Sequence, residues 1–196
     1  MIKCSSLDNA SNEVLFGTRK IETERLILRR FVMEDAEDMY NNWASDPEVT
    51  KYLTWPTHRS SEVTKMILTD WISRYKDNHY FNWAIEYKET GKVIGNISVV
   101  KFNEAISSAD IGYCMSRSLW GKGIMPEALT AVIDYLLKEV GLNRVAACHA
   151  VENPKSGRVM DKAGMKLDGV LRQAGKNNQG ICDEVWHSII KSDIAK

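Results

Sequence analysis

At 196 residues the chain is long enough for one domain with a sizeable core, and 44% hydrophobic with 27% charged residues is ordinary for a globular protein. Lys plus Arg and Asp plus Glu both number 26, so no global field favours nucleic acid or an anionic membrane surface. Cys4, Cys114, Cys148 and Cys182 show neither metal spacing nor a dense disulfide framework; with no leader-like start and no apolar run near about 18 residues, the expected setting is a reduced cytoplasm.

Residues 1–20 are polar and aperiodic and read as a loose arm, followed by a single domain over residues 21–196. The first strand is expected at residues 24–31, around Leu26 and Leu28. Ala36, Met39, Tyr40 and Trp43 recur at steps of three and four, which predicts a helix over residues 34–44, broken at Asp46-Pro47. Residues 51–60 form a loop carrying Tyr52, Trp55, His58 and Arg59. A loop tryptophan there either closes over a substrate or latches onto the core. Ser61 is placed to cap the next helix, on which Val63, Met66, Ile67, Trp71 and Tyr75 share a face.

Two strands follow at residues 82–87 and 92–101, joined by a hairpin-length turn at Glu89-Thr90-Gly91. After another turn at residues 103–108, a third strand over residues 109–117 completes an antiparallel meander. The clearest helix carries Met125, Leu129, Val132, Ile133, Leu136, Leu137 and Val140 and ends at Gly141. Residues 144–151 are apolar at nearly every position, as in a strand buried on both faces, and strand-helix-strand of this length implies a parallel pair. His149 within it reads as a packed core histidine. A short helix at 155–163 ends at Gly164, and strands at 166–173 and 183–190 flank a turn at 175–180. The order predicts a mixed sheet with helices on its faces.

Between the third strand and the long helix stands Trp120-Gly121-Lys122-Gly123-Ile124-Met125-Pro126-Glu127-Ala128. Glycines admit close approach of backbone N–H groups, proline suits a first helical turn, and a helix N-terminus offers unpaired donors with partial positive charge. Together these make a phosphate-sized cradle or, equally, an empty strand-to-helix turn. The pattern lacks the Gly-Lys-Ser/Thr of a nucleotide P-loop and the third glycine of a dinucleotide fingerprint.

Further segments in register carry a resemblance. They are Thr23-Glu24-Arg25-Leu26-Ile27-Leu28-Arg29, Asp110-Ile111-Gly112-Tyr113, Glu152-Asn153-Pro154-Lys155-Ser156, Lys162-Ala163-Gly164-Met165, Gly169-Val170-Leu171-Arg172 and Asp183-Glu184-Val185-Trp186. With the glycine loop they resemble the GNAT superfamily of N-acetyltransferases over roughly residues 21–191, and more closely its Rim-type branch of ribosomal-protein N-terminal acetyltransferases. One departure is Ser118, where the superfamily often has Gln or Arg. The resemblance implies an α/β (α+β) fold: a mixed, mostly antiparallel twisted sheet with a parallel central pair and helices on both faces.

It also implies direct acetyl transfer from acetyl-CoA, as co-substrate, to a primary amine. The cofactor-binding residues it points to are Trp120, Gly121, Lys122, Gly123, Ile124 and Met125 at the pyrophosphate, amides around Cys114 and Met115 at the thioester oxygen, and Asn153 at the pantetheine amide. Ser156 would assist thiolate departure, or else bond a free amide at its helix start. Asp110 would act as base, or else be a solvent-facing strand charge. Tyr52 and Trp55 would line the acceptor side. No metal, nucleic acid or membrane enters this reading, and the chain is expected to be a monomer or homodimer. The acceptor is read as a protein N-terminal α-amine; a polyamine, amino acid or aminoglycoside acceptor, and a non-catalytic acetyl-CoA-binding module, remain open.

Overall fold

The computed structural model describes residues 17–194. Most of the expected arm, with Cys4, lies outside the described residues. Its last residues do not read as an arm at all: Gly17 and Thr18 are buried, and the Thr18 hydroxyl donates to Tyr80 O (2.9 Å) and accepts from Asn82 N (2.8 Å).

In chain order the elements are β1 (Ile21–Glu22), β2 (Leu26–Arg29), α1 (Ala36–Met39), α2 (Pro47–Thr50), α3 (Ser61–Arg74), β3 (Asn82–Tyr87), β4 (Lys92–Asn103), β5 (Ser108–Met115), α4 (Ile124–Asp134), β6 (Arg144–Ala150), α5 (Pro154–Lys162), β7 (Lys166–Asn177), β8 (Gly180–Ile190) and α6 (Lys191–Ile194). Helices α1 and α4 each run on through a π turn, Tyr40–Ala44 and Tyr135–Glu139. The strands form one sheet in the order β1-β2-β3-β4-β5-β6-β8-β7. Every neighbouring pair is antiparallel except β5 and β6.

Side chains alternate across a strand, so each strand feeds two cores. One face packs Trp83, Ile85, Ile97, Ile111 and Val145 against Leu129, Val132, Ile133 and Leu136 of the long helix. The other packs Ala84 and Val93 against Met39, Trp43 and Leu68.

Several boundaries differ from the sequence expectation for identifiable reasons. The expected first strand shrinks to Leu26–Arg29 because Thr23 turns the chain, its hydroxyl accepting from Leu26 N at 3.0 Å. Asp46-Pro47 starts α2 rather than only ending α1: the Asp46 carboxylate accepts from Glu48 N at 2.9 Å, and Pro47 needs no N–H in the first turn. Ser60, not Ser61, holds the N-cap position of α3, without a side-chain capping bond. The buried face of α3 is Thr64, Leu68 and, beyond its end, Tyr75, while Val63, Met66 and Ile67 are exposed. This helix is apolar on two sides, and Tyr75 selects between them: its hydroxyl accepts from Phe31 N and donates to Asn82 O. The last hairpin is longer than expected, with the turn at Asn178-Gln179, because the irregular register between Leu171 and Gly175 lets both strands continue.

Candidate active site

The parallel pair does not run the length of its strands. Its register ends at Asp110↔Ala146, whereas β5 continues to Met115 and β6 to Ala150. Each strand keeps its outer neighbour to the end, as Gly95↔Met115 and Ala150↔Glu184 show, so the two diverge into a wedge. Ser116 N donates to Ile94 O at 2.8 Å, toward β4. Peptide groups alternate along a strand, so the amides of Tyr113 and Met115 face the wedge and that of Cys114 faces β4. Of the two amides expected at a thioester oxygen, Met115 is thus available and Cys114 is not. The Cys114 side chain is likewise turned into the second core, where burial pushes its thiol up to about 12.

At the open end of the wedge the chain makes the glycine loop. Gly121 and Gly123 take φ of +80° and +76°, values that L side chains adopt at a cost, and Gly123 is the N-cap of α4. Lys122 N donates back to Leu119 O at 3.4 Å, which leaves the Gly121 and Gly123 amides and the first amides of α4 for an anion. The Trp120 indole folds back and donates to Met115 O at 3.1 Å. The Lys122 side chain is exposed, while its carbonyl accepts from Arg25 Nη1 at 2.9 Å.

Glu127, in the first turn of α4, joins this loop to the start of the domain. It accepts from Thr23 Oγ1 (2.5 Å), Arg25 N (2.9 Å) and Arg25 Nε (2.6 Å). Burial alone would raise its pKa, but the Thr23 hydroxyl and both Arg25 groups together hold it below the usual carboxylate value. Two segments that looked independent in the sequence are one fastening.

On the other wall of the wedge, α5 begins with Asn153 as N-cap. Asn153 N donates to Ala150 O at 2.8 Å and closes a turn at the end of β6, while its side chain makes no capping bond. Ser156 Oγ lies 2.9 Å from the Tyr113 hydroxyl, which also donates to Ser156 O at 3.0 Å. Burial raises Tyr113 well above the ordinary phenol range and keeps its proton in place. Ser156, hydrogen-bonded to a phenol that stays protonated, can therefore relay a proton from the reacting amine to a thiolate in the wedge. Tyr113 escaped notice as a site residue because nothing local in the sequence pairs it with a residue 43 positions on. Lys155 Nζ stands 5.2 Å from the Trp120 ring centroid, which brings the two sides of the mouth together.

The structure separates Asp110 from Ser156. Alternation along β5 puts Asp110, Gly112 and Cys114 on the face opposite Tyr113, and Asp110 sits at the paired end, about 16 Å along the strand from Met115. It lines a small cavity with Lys101, Asn103, Ile106, Ser108 and Arg144. Burial raises its pKa, Lys101 and Arg144 oppose that, and Glu184 adds to it. The same face of β6 and β8 carries Cys148, Trp186 and Glu184. Bordering this face is the 51–60 loop, which the β7–β8 turn holds down: Asn178 donates to Thr50 O (2.9 Å), Trp55 O (2.8 Å) and Leu53 O (3.1 Å). Trp55 is half-buried against the second core, its ring 5.2 Å from His58, and the Tyr52 ring lies 5.3 Å from Lys51 Nζ. His149 sits on the α5 face, its Nδ1 2.8 Å from Ala150 O and its ring stacked on His187. Among the described residues no group of His, Cys, Asp or Glu is placed to hold a metal ion, and no helix is long and apolar enough to cross a membrane.

Comparison with known proteins accounts for this geometry. A family model described as an acetyltransferase (GNAT) domain matches residues 25–166. The uncharacterized N-acetyltransferase p20 of Bacillus licheniformis is 34% identical over 176 residues, 88% of this chain and 97% of that protein. The ribosomal-protein-serine acetyltransferase of Escherichia coli is 30% identical over 122 residues, 62% of this chain and 68% of that protein. Among solved structures, RimL, a ribosomal L7/L12 alpha-N-protein acetyltransferase in complex with coenzyme A, has the same fold. It superposes with a TM-score of 0.78 at 21% identity, over 88% of this chain and 98% of that one.

Proposed function

The chain belongs to the GNAT family of acetyltransferases and is an acetyl-CoA-dependent N-acetyltransferase, and on that premise we propose that its acceptor is the N-terminal α-amine of a protein or peptide. The observation that carries the proposal is the acceptor side of the wedge. Beyond β5, that face presents half-buried strand residues beside the Trp55 loop, a surface suited to an extended chain end. The relatives named as ribosomal-protein acetyltransferases support the same acceptor class.

In this mechanism the amides of Gly121, Gly123, Ile124 and Met125 hold the pyrophosphate, the exposed Lys122 side chain adds positive charge beside it, and Trp120 fixes the loop through its bond to Met115 O. Asn153 binds the pantetheine arm, and Met115 N–H receives the oxyanion as the amine adds. Ser156, backed by Tyr113, returns a proton to the departing thiolate. An α-amine titrates near pH 8, so its deprotonation needs only modest assistance.

A second reading has one observation in its favour. Asp110 and Glu184, distant in sequence, share one face and are coupled electrostatically, which suits a small polycationic amine. Acetyl transfer against a panel of peptides with free N-termini, their lysine-only counterparts and small polyamines separates the two. Turnover confined to free α-amines is the expected result. Turnover confined to polyamines would replace the proposal.

A further inference from the structure

Glu184 has no task in the mechanism above, yet its surroundings are unusual for a strand carboxylate. It is half-buried opposite Ala150, the last residue of β6, where the wedge is open. Trp186 Nε1 donates to its Oε2 at 3.0 Å and fixes the side chain. Its Oε1 lies so close to Gly175 that a Cβ there would stand 2.2 Å away, so β7 keeps a glycine against it. Among the described residues Glu184 forms no ion pair. The titratable groups it acts on electrostatically include Cys148 from β6, Asp110 from β5 and Cys182 from its own strand. None is cationic at neutral pH. Burial, and then Glu184, push the Cys148 thiol up to about 12, so this neighbour stays neutral beside it. The result is a carboxylate held by the Trp186 indole and the Cys148 thiol, without an ion-pair partner among the described residues, on the face from which an amine approaches.

We propose that Glu184 contacts the acceptor ammonium and takes its proton before attack, an inference that rests on the acetyl-transfer reading. With strands about 4.8 Å apart, Glu184 Cα stands at least about 10 Å from β5 across the wedge. The carboxylate lies over β8, with Oε2 on Trp186 and Oε1 toward Gly175 of β7, so the ammonium meets it on that face through one charge-assisted hydrogen bond of about 2.8 Å before moving on to an attack distance of about 3 Å. The ammonium N–H bond breaks, its proton goes to the Glu184 carboxylate and then to solvent, and the freed lone pair forms the C–N bond. The second amine proton reaches the thiolate by way of Ser156 as the C–S bond breaks. Asp110 lies at the closed end of the wedge.

The test is the pH profile of kcat/KM in Glu184→Gln, which keeps the shape and the acceptor for Trp186, with the acetyl-CoA-induced rise in melting temperature measured beside it. The expected result is a loss of about a hundredfold at neutral pH, an acid limb moved up to that of the free amine, and an unchanged thermal rise. Gly175→Ala gives a second reading, since its Cβ meets no backbone and displaces the Glu184 side chain from Cγ outward: a slower enzyme that still folds and keeps its acid limb. Glu184→Gln with a wild-type acid limb beside a normal thermal rise would overturn this inference alone. A wild-type protein with no thermal rise would overturn it together with the acetyl-transfer reading.

Discussion

Gly123 is the position where a phosphate cradle and an ordinary turn part company. Its φ of +76° sits in the left-handed region, and a Cβ built there meets only Arg25 Nη2, at 3.5 Å. Space is therefore not limiting, and the cost of Gly123→Ala is the left-handed conformation, about 1–2 kcal/mol. For a chain of this size each kcal/mol moves the melting midpoint by roughly 2–4 °C, so apo Gly123→Ala should melt about 2–8 °C below wild type. Acetyl-CoA at about a hundred times its dissociation constant should stabilise wild type by roughly 2.7 kcal/mol, a rise of about 5–10 °C. Gly123→Glu adds the same strain and also places a carboxylate where phosphate oxygens belong. Its apo form should melt near Gly123→Ala, and acetyl-CoA should raise it no further. Scanning fluorimetry of the three proteins with and without acetyl-CoA reads both effects. A wild type that melts identically in both conditions, or a Gly123→Glu protein that keeps the full rise, would refute the reasoning.

Ser156→Ala should lower kcat about ten- to a hundredfold with little change in acetyl-CoA affinity, because a thiol of pKa near 8.5 is already a fair leaving group; adding Tyr113→Phe should cost little more, since the hydroxyls act as one pair. Full additivity of the two losses in steady-state kinetics would assign them separate roles. Trp55→Ala should raise KM for the acceptor and leave acetyl-CoA binding intact, whereas a fall in stability without a kinetic change would make Trp55 a latch. Asp110 has a folded pKa above its unfolded one, so the folded chain binds the extra proton and stability falls as pH rises through that window. Asp110→Asn should therefore melt higher than wild type at neutral pH, the difference closing as pH drops below the unfolded carboxylate value. A variant that melts lower at neutral pH would show Asp110 to be a stabilising partner of Lys101 and Arg144.

The local chemistry of the chain was enough to establish the order of its main elements, the loop glycines and the parallel pair. Gly121, Gly123, Gly141 and Gly164 all take positive φ where the sequence places turns, because left-handed backbone is a demand that one residue type meets locally. Strands β3 to β5 follow from apolar patterning, and of residues 144–151 the stretch Val145, Ala146 and Ala147 is buried on both faces, whereas Cys148 and His149 are half-buried beside the wedge and Val151 is exposed. What the sequence left open was every choice between two equally apolar or equally polar faces. The buried side of α3 is decided by Tyr75 reaching Phe31 and Asn82, contacts 44 and 7 positions away. Asp110 reads as well placed beside Tyr113 in the chain, yet a two-residue period sends the two to opposite faces. The fastening of Glu127 to Thr23 and Arg25, the pairing of Tyr113 with Ser156, and the placing of Glu184 at the mouth of the wedge all join residues far apart in the chain. Such contacts carry no local signature: they exist only once β5 and β6 have paired at one end and parted at the other.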